Sequence, residues 1–331
     1  MRSLKALGLF VGGVVVLFIM AFGAIWIFNP FAPAVVVSDP EPYGYRIDDE
    51  VLIANFYPVE NTDPAPAILF LGGSEGGIGQ GTALALQKEG YAVLVPSYFR
   101  APGQSRALEL VPLELFDRAI SWLMSQPDIN SDRIGIMGIS KGAEAALIVA
   151  SRHPELRAVI AGMPSNVAWQ GVNPNLLKQI ITPPGGSWSL NGNPIPYLPY
   201  NVEEVTTNPL DLYLNSLATL SEYPDAIIPI EEIAAPILLI CGEKDTLWPS
   251  CDMSRQIETR AAQQQGPSIK LLAFDDAGHF GVGHPIEVDH PSFEVLASLG
   301  GSINDNSAAR HKGWTSILAH LNDTLKSTPA E

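Results

Sequence analysis

A serine with glycine two residues to either side is the local mark of a nucleophile held out on a sharp strand-to-helix turn. The small residues relieve the crowding that such a turn creates. The pattern occurs twice, at Gly72-Gly73-Ser74-Glu75-Gly76 and at Gly138-Ile139-Ser140-Lys141-Gly142. A serine hydroxyl attacks a carbonyl only when a base takes its proton and a third group orients that base. Residues of the right types stand at Gly242-Glu243-Lys244-Asp245 and at Asp275-Asp276-Ala277-Gly278-His279. Each also has an ordinary reading: Asp245 as a turn residue with Glu243 beside it, and His279 as a core or surface histidine.

The surrounding elements decide between the two serines. Apolar runs at Ala67–Leu71, Ala92–Pro96, Ile134–Met137, Ala158–Ala161, Pro236–Cys241 and Ile269–Phe274 alternate with helical patterns at Thr82–Glu89, Leu113–Ser125 and Lys141–Ser151. Trp314, Ile317, Leu318, Leu321 and Leu325 form a last apolar helix face. That alternation predicts βαβ units around a mostly parallel sheet, with Tyr45–Tyr57 as an entry strand pair. Ser140 follows a strand directly and a helix starts at once, whereas the loop after Ser74 continues through Gly76, Gly77, Gly79 and Gly81. Asp245 and His279 each stand just past the carboxyl end of a later strand. The chain order Ser140, Asp245, His279 therefore assigns nucleophile, orienting acid and base. The Ser74-Glu75 loop is expected, with the Lys141 N–H, to receive an oxyanion.

With these residues placed, the chain resembles the C-terminal catalytic domain of the acyl-CoA thioesterase and bile acid-CoA:amino acid N-acyltransferase family, a dienelactone-hydrolase-like branch of the α/β-hydrolases. The resemblance runs from about Ala67 to Leu325. It is carried by Gly-Ile-Ser-Lys-Gly-Ala-Glu at 138–144, Cys-Gly-Glu-Lys-Asp-Thr-Leu-Trp-Pro-Ser at 241–250, Ala-Gly-His at 277–279 and the tract Ser302 to Leu321. It implies an α/β-hydrolase fold with helices on both faces of the sheet. It also implies cleavage of an acyl ester or thioester through an acyl-enzyme at Ser140, with Asp245 and His279, and no cofactor or metal. Members that are N-acyltransferases use cysteine as nucleophile, so serine favours hydrolysis. Transfer to an amine or alcohol, and a non-catalytic membrane-anchored binding protein that keeps the fold, remain as alternatives.

The rest of the chain sets the context. Residues 164–229 break the βαβ rhythm and are rich in Pro, Gly, Asn and aromatics. An insertion of that length is expected to form a lid, with Trp169, Trp188 and Trp248 lining the substrate pocket. Trp248 could equally pack beneath the Asp245 loop. At the N-terminus a basic flank (1–6) precedes an uncharged apolar stretch at 7–28 and a proline-rich tether at 29–44, leaving 45–331 as the catalytic domain. As a helix the stretch would be about 33 Å long, enough to span a bilayer. An uncleaved anchor is expected, with a cleaved signal peptide and a buried helix as the alternatives; the anchor would have a cytoplasmic N-terminus and a catalytic domain outside, periplasmic or extracellular. The net charge of -16 excludes nucleic acid as a partner. His279, His284 and His290 with Asp275 and Asp276 lack helical ligand spacing. Gly72–Gly81 has no dinucleotide fingerprint. Cys241 and Cys251 are expected to be two independent buried thiols; a disulfide would need their Cα atoms within about 7 Å.

Overall fold

The computed structural model describes residues 2–28, 35–49, 51–60, 63–203 and 206–327, and their side chains except at 2–12, 27–28 and 176. In chain order the strands are β1 (Tyr45–Asp48), β2 (Ile53–Tyr57), β3 (Ala65–Leu71), β4 (Ala92–Ser97), β5 (Val111–Pro112), β6 (Ile129–Ile139), β7 (Ala158–Gly162), β8 (Trp188–Leu190), β9 (Asn193–Pro194), β10 (Ile237–Gly242) and β11 (Ile269–Phe274). The helices are α1 (Arg2–Phe28), α2 (Gly81–Lys88), α3 (Glu114–Ser125), α4 (Lys141–Ala150), α5 (Leu176–Ile181), α6 (Pro209–Leu217), α7 (Ser250–Gln263) and α8 (Ile303–Leu321).

Eight strands form one sheet in the order β1-β2-β4-β3-β6-β7-β10-β11. β1 and β2 enter antiparallel, β2 pairs antiparallel with β4, and every later pairing is parallel. β3, β4, β7 and β10 are buried at every position, as strands covered on both faces must be. Two apolar clusters flank the sheet. One holds α3 and α4 side chains such as Phe116, Ile120, Leu147 and Val149. The other holds Ala83 and Leu86 of α2 with Trp314, Ile317 and Leu321 of α8. Sheet and flanking helices thus have the layered α/β architecture expected from the alternation of the sequence. Strand order reverses about β3 and β4, so the loops leaving β3, β6, β10 and β11 open onto one end of the sheet.

One helix escapes the sequence pattern. α7 buries Ser250, Cys251, Met253, Ser254, Ile257 and Ala261, a face of mostly small residues whose hydrophobic periodicity is faint. The insertion at 164–229 contributes α5, α6 and the β8-β9 hairpin. β8 pairs with β5, and this small sheet anchors the insertion to the entrance of α3. Val167, Trp169, Leu198, Tyr213 and Ala226 form a third apolar cluster that includes Trp248 and Met253 from beyond β10.

The expected anchor at 7–28 falls in α1, but the side chains of 7–12 and 27–28 lie outside the described residues. Among the described residues no helix is long and apolar enough to cross a membrane. Of the expected tether, 29–34 lies outside the described residues. α1 meets the insertion at Asn175, whose Nδ2 donates to the carbonyls of Ile25 and Trp26 at 2.8 and 3.2 Å.

The cysteines depart from expectation. Cys241 and Cys251 form a disulfide with Cα atoms 5.0 Å apart. β10 and the start of α7 lie side by side, so the sulfurs meet across the loop that carries Asp245. Titration of the denatured, unreduced protein should find no free thiol, and two thiols per chain would refute the bridge. Cys251→Ala should lower the unfolding free energy by about 2–3 kcal/mol, the scale for closing so short a loop.

Candidate active site

Ser140 occupies the single residue between β6 and α4, with φ 56° and ψ −121°. The flanking glycines are required by contact. A Cβ on Gly138 would stand 2.0 Å from the Gly142 carbonyl oxygen, and one on Gly142 would stand 2.2 Å from that of Gly72. The His279 Nε2 lies 2.9 Å from Ser140 Oγ, and its Nδ1 lies 2.8 Å from Asp245 Oδ2. The other Asp245 oxygen, Oδ1, accepts from the N–H groups of Leu247 and Trp248 at 2.9 and 3.3 Å. All three side chains are buried. The competing carboxylate, Glu243, is turned away onto Arg255.

The His279 loop is fixed from α8. Asn306, fully buried, accepts from the Gly278 N–H at 2.7 Å and donates to the carbonyls of Leu296 and Gly300 at 2.8 and 2.9 Å. Farther along that loop, Arg310 donates to the carbonyls of Phe280, Val282 and His284. His284 packs against Thr82, Nδ1 to Oγ1 3.0 Å. Burial, with the Arg310 cation beside it, pushes His284 down to about 4, so this imidazole is neutral near pH 7. His290 accepts from the Ser292 N–H elsewhere. Among the described residues no three His, Cys, Asp or Glu side chains converge as metal ligands would.

A cavity of about 580 Å3 opens on Ser140 and His279. Its walls include Phe70, Ile139, Leu247, Phe280 and Val282, with the 72–75 loop along one side. Tyr98, buried at the end of β4, orders that loop: its hydroxyl donates to the carbonyls of Gly72 and Gly73 at 2.5 and 3.0 Å. In a trans peptide the N–H points opposite to the carbonyl. Holding these two carbonyls on the Tyr98 side therefore turns the N–H groups of Gly73 and Ser74 the other way. A Cβ on Gly73 would lie only 3.4 Å from that of Ser140. The backbone of Gly73, one residue before the expected Ser74-Glu75 pair, thus approaches Ser140 as well, and its N–H donates to Glu75 Oε1 at 3.0 Å. Ser74 and Glu75 line the same cavity. Burial and the charges of Glu75 and Glu144 push the Tyr98 hydroxyl well up from its ordinary value, keeping it a donor.

Lys141 supplies the first N–H of α4, which has no acceptor within its own helix. Its side chain turns away from the cavity: Nζ donates to Glu144 Oε2 at 2.8 Å and to Ser187 Oγ at 2.9 Å. Glu144 Oε1 accepts from the Trp169 N–H at 2.9 Å and from Trp188 Nε1 at 2.8 Å. Burial lowers the Lys141 pKa and Glu144 opposes that shift.

The three tryptophans expected in the pocket are placed elsewhere. Trp169 and Trp188 are fully buried and absent from the cavity wall, because their polar edges are committed to Ser165 and Glu144. Trp248 packs edge-on against His279 and Tyr213, with ring centroids 5.9 and 5.4 Å apart. It supports the acid loop and does not line the cavity. Tyr98, Gly73, Glu144 and Asn306 are the members of the site that the sequence pattern did not single out. Gly73, Glu144 and Asn306 lay inside segments that drew attention for other residues, and Tyr98 lay outside all of them.

A family model described as BAAT / Acyl-CoA thioester hydrolase C terminal matches residues 111–327, and one for the X-Pro dipeptidyl-peptidase (S15 family) matches 36–175. Acyl-coenzyme A thioesterase 5 of Mus musculus is 25% identical over 282 residues, covering 82% of this chain and 63% of its own length. Acyl-coenzyme A thioesterase 1 of Rattus norvegicus is 24% identical, covering 79% and 60%. The chain thus spans about three-fifths of the length of these relatives. Among solved structures, a puromycin-hydrolyzing peptidase of Mycobacterium tuberculosis superposes with TM-score 0.55 at 15% identity over 83% of this chain and 38% of its own. An acylaminoacyl peptidase of Pyrococcus horikoshii gives 0.53 at 14% over 87% and 42%. At such identities these two share the fold alone. The family match covers well over half of the chain and includes Ser140, Asp245 and His279: this chain belongs to the BAAT / acyl-CoA thioester hydrolase C-terminal family.

Proposed function

We propose that the chain is a serine hydrolase that cleaves an acyl ester or thioester through an acyl-enzyme on Ser140. The observation that carries this reading is the unbroken hydrogen-bond chain from Ser140 through His279 to Asp245 at the wall of a cavity. His279 Nε2 takes the Ser140 proton as Oγ bonds to the acyl carbon. The leaving alcohol or thiol departs with that proton as the tetrahedral centre collapses. Water then attacks the acyl-serine, giving a proton to His279, and Ser140 recovers a proton as the carboxylic acid leaves. Asp245 holds the imidazole in the tautomer that keeps Nε2 free to accept, and it stabilises the imidazolium. The Lys141 N–H and the N–H groups of the 73–75 loop, which includes the expected Ser74 and Glu75, would receive the oxyanion. The apolar wall of Phe70, Ile139, Phe280 and Val282 suits an acyl chain. The relatives named as acyl-coenzyme A thioesterases favour a thioester among the candidates.

We further propose that 7–28 anchors the domain to a membrane and that 45–331 lies on the non-cytoplasmic side. Exposed apolar side chains along α1, including Leu17, Phe18 and Ile19, support the anchor. The Cys241–Cys251 bridge supports an oxidising compartment, since cytosolic thiols are ordinarily kept reduced.

A fluorophosphonate probe tests the nucleophile. It should modify Ser140 alone; modification at Ser74, or an active protein that the probe leaves untouched, would overturn the assignment. Ser140→Ala should lower kcat by at least about 1,000-fold, the scale for losing a nucleophile of this kind. Tyr98→Phe removes the donor that orders the Gly72-Gly73 carbonyls. It should reduce kcat about 10- to 100-fold with a smaller change in KM, since the donors it orients act on the transition state. A rise in KM with kcat unchanged would instead mean that Tyr98 serves substrate binding.

A further inference from the structure

Glu75 stands at the cavity rim, and its side chain folds back over the two glycines before it. Its Oε1 accepts from the Gly73 N–H at 3.0 Å. A Cβ on Gly72 would stand 2.9 Å from Oε1, and one on Gly73 would stand 2.7 Å from Oε2. The carboxylate thus lies flat on this stretch of backbone, in space that only glycines leave open. The donor it occupies belongs to the peptide whose carbonyl Tyr98 holds, on a residue that lines the same cavity as Ser140 and whose Cβ would stand 3.4 Å from that of Ser140. A negatively charged oxygen of the protein itself rests on a donor that an incoming carbonyl needs.

We propose that the Glu75 carboxylate is the resident occupant of the oxyanion site, displaced by the substrate carbonyl and returning as the carboxylic acid product leaves. This rests on the reading of Ser140 as nucleophile. One N–H cannot serve the carboxylate and a developing oxyanion together, and two negative charges at that distance repel, so Glu75 must swing out before the transition state forms. Glu75 is exposed, so rotation of its side chain into solvent suffices and no backbone element moves. The product acid carries the same functional group as the occupant. Being tethered, the Glu75 carboxylate competes at a high effective concentration that dissolved acid does not match. Substrate and product are both weakened, and product release is favoured. Glu75 therefore sets affinity at the site and takes no part in bond making.

Rates of fluorophosphonate labelling test this on the full chain, because the phosphoryl oxygen must enter the same donors. Glu75→Ala should label about five- to tenfold faster than wild type, the effect of removing one charge-assisted hydrogen bond at a partly exposed position. Glu75→Gln, which keeps an uncharged acceptor, should fall between. Gly72→Ala offers an independent route: the only atoms near its new methyl belong to the Glu75 carboxylate, so it evicts that group with Glu75 still present. It should accelerate labelling as Glu75→Ala does, and the double variant should be no faster than either single one. Butyrate should protect Glu75→Ala at about fivefold lower concentration than wild type, by the same loss of one competitor. Labelling of Glu75→Ala at or below the wild-type rate, or full additivity in the double variant, would overturn the proposal. Labelling that persists in Ser140→Ala would bring down the nucleophile assignment itself, a separate failure that the Glu75 variants do not produce.

Discussion

Ser140 holds φ 56° and ψ −121°, a backbone conformation that an L-residue adopts only against steric repulsion, at a cost of order 1–3 kcal/mol. Such strain persists where the surroundings leave no alternative. Gly138 and Gly142 abut neighbouring backbone too closely for any side chain, and the Ser140 N–H is bonded to the Gly162 carbonyl at 2.8 Å. The elbow is thereby tied to the adjacent strand β7. The strained turn also dictates the electrostatics. α4 begins one residue later, so its unsatisfied first N–H groups and the positive end of its dipole lie beside the serine oxygen. The position of the Ser140 hydroxyl and the positive helix end beside it come from one turn.

That turn is also where the insertion is fastened. Every residue of α4 is buried, including Lys141 and Glu144, and a buried carboxylate without partners would be strongly unfavourable. Glu144 has three donors, two of them from the insertion at Trp169 and Trp188. An ion pair of this kind adds little net stability over an apolar substitute. Its effect is on uniqueness: only one placement of the 169–188 segment against α4 satisfies all three donors. The side chain one residue after Ser140 and the inner wall of the insertion are therefore a single hydrogen-bonded unit.

How much of this was legible in the sequence depends on the kind of constraint. Strands buried on both faces announce themselves as apolar runs, so β3, β4, β7 and β10 fall where those runs fall, and the part-exposed edge strand β11 coincides with the run Ile269–Phe274. The convergence of Ser140, Asp245 and His279 was legible because each follows a strand end in a fixed chain order, although the glycine pattern alone could not separate Ser140 from Ser74. Aromatic richness was the weaker guide. Trp169 and Trp188 serve packing and hydrogen bonding at α4, and composition does not distinguish a core indole from one in a pocket. Tyr98 and Asn306 act on backbone groups far away in sequence, at Gly72-Gly73 and at Gly278, so no local spacing marks them. The disulfide had the same obscurity, because ten residues of separation say nothing about how closely β10 and α7 approach.

The acid loop shows how one of two nearby carboxylates comes to serve the histidine. Glu243 and Asp245 both follow β10, but Glu243 lies where Arg255 on α7 can reach it. Asp245 is turned inward, and Leu247 and Trp248 donate to its Oδ1, leaving Oδ2 for His279. Two backbone donors and one imidazole satisfy a carboxylate that has lost its water, a condition a buried charge must meet. Those donors are in place because the loop is closed on two sides. Cys241 and Cys251 bring its ends together, their Cα atoms 5.0 Å apart. On the other side Trp248 is packed against Tyr213 of the insertion and against the His279 ring. The orientation of the acid thus depends jointly on a covalent bridge behind it and on the insertion in front of it, and loosening either contact would reach the histidine through Trp248.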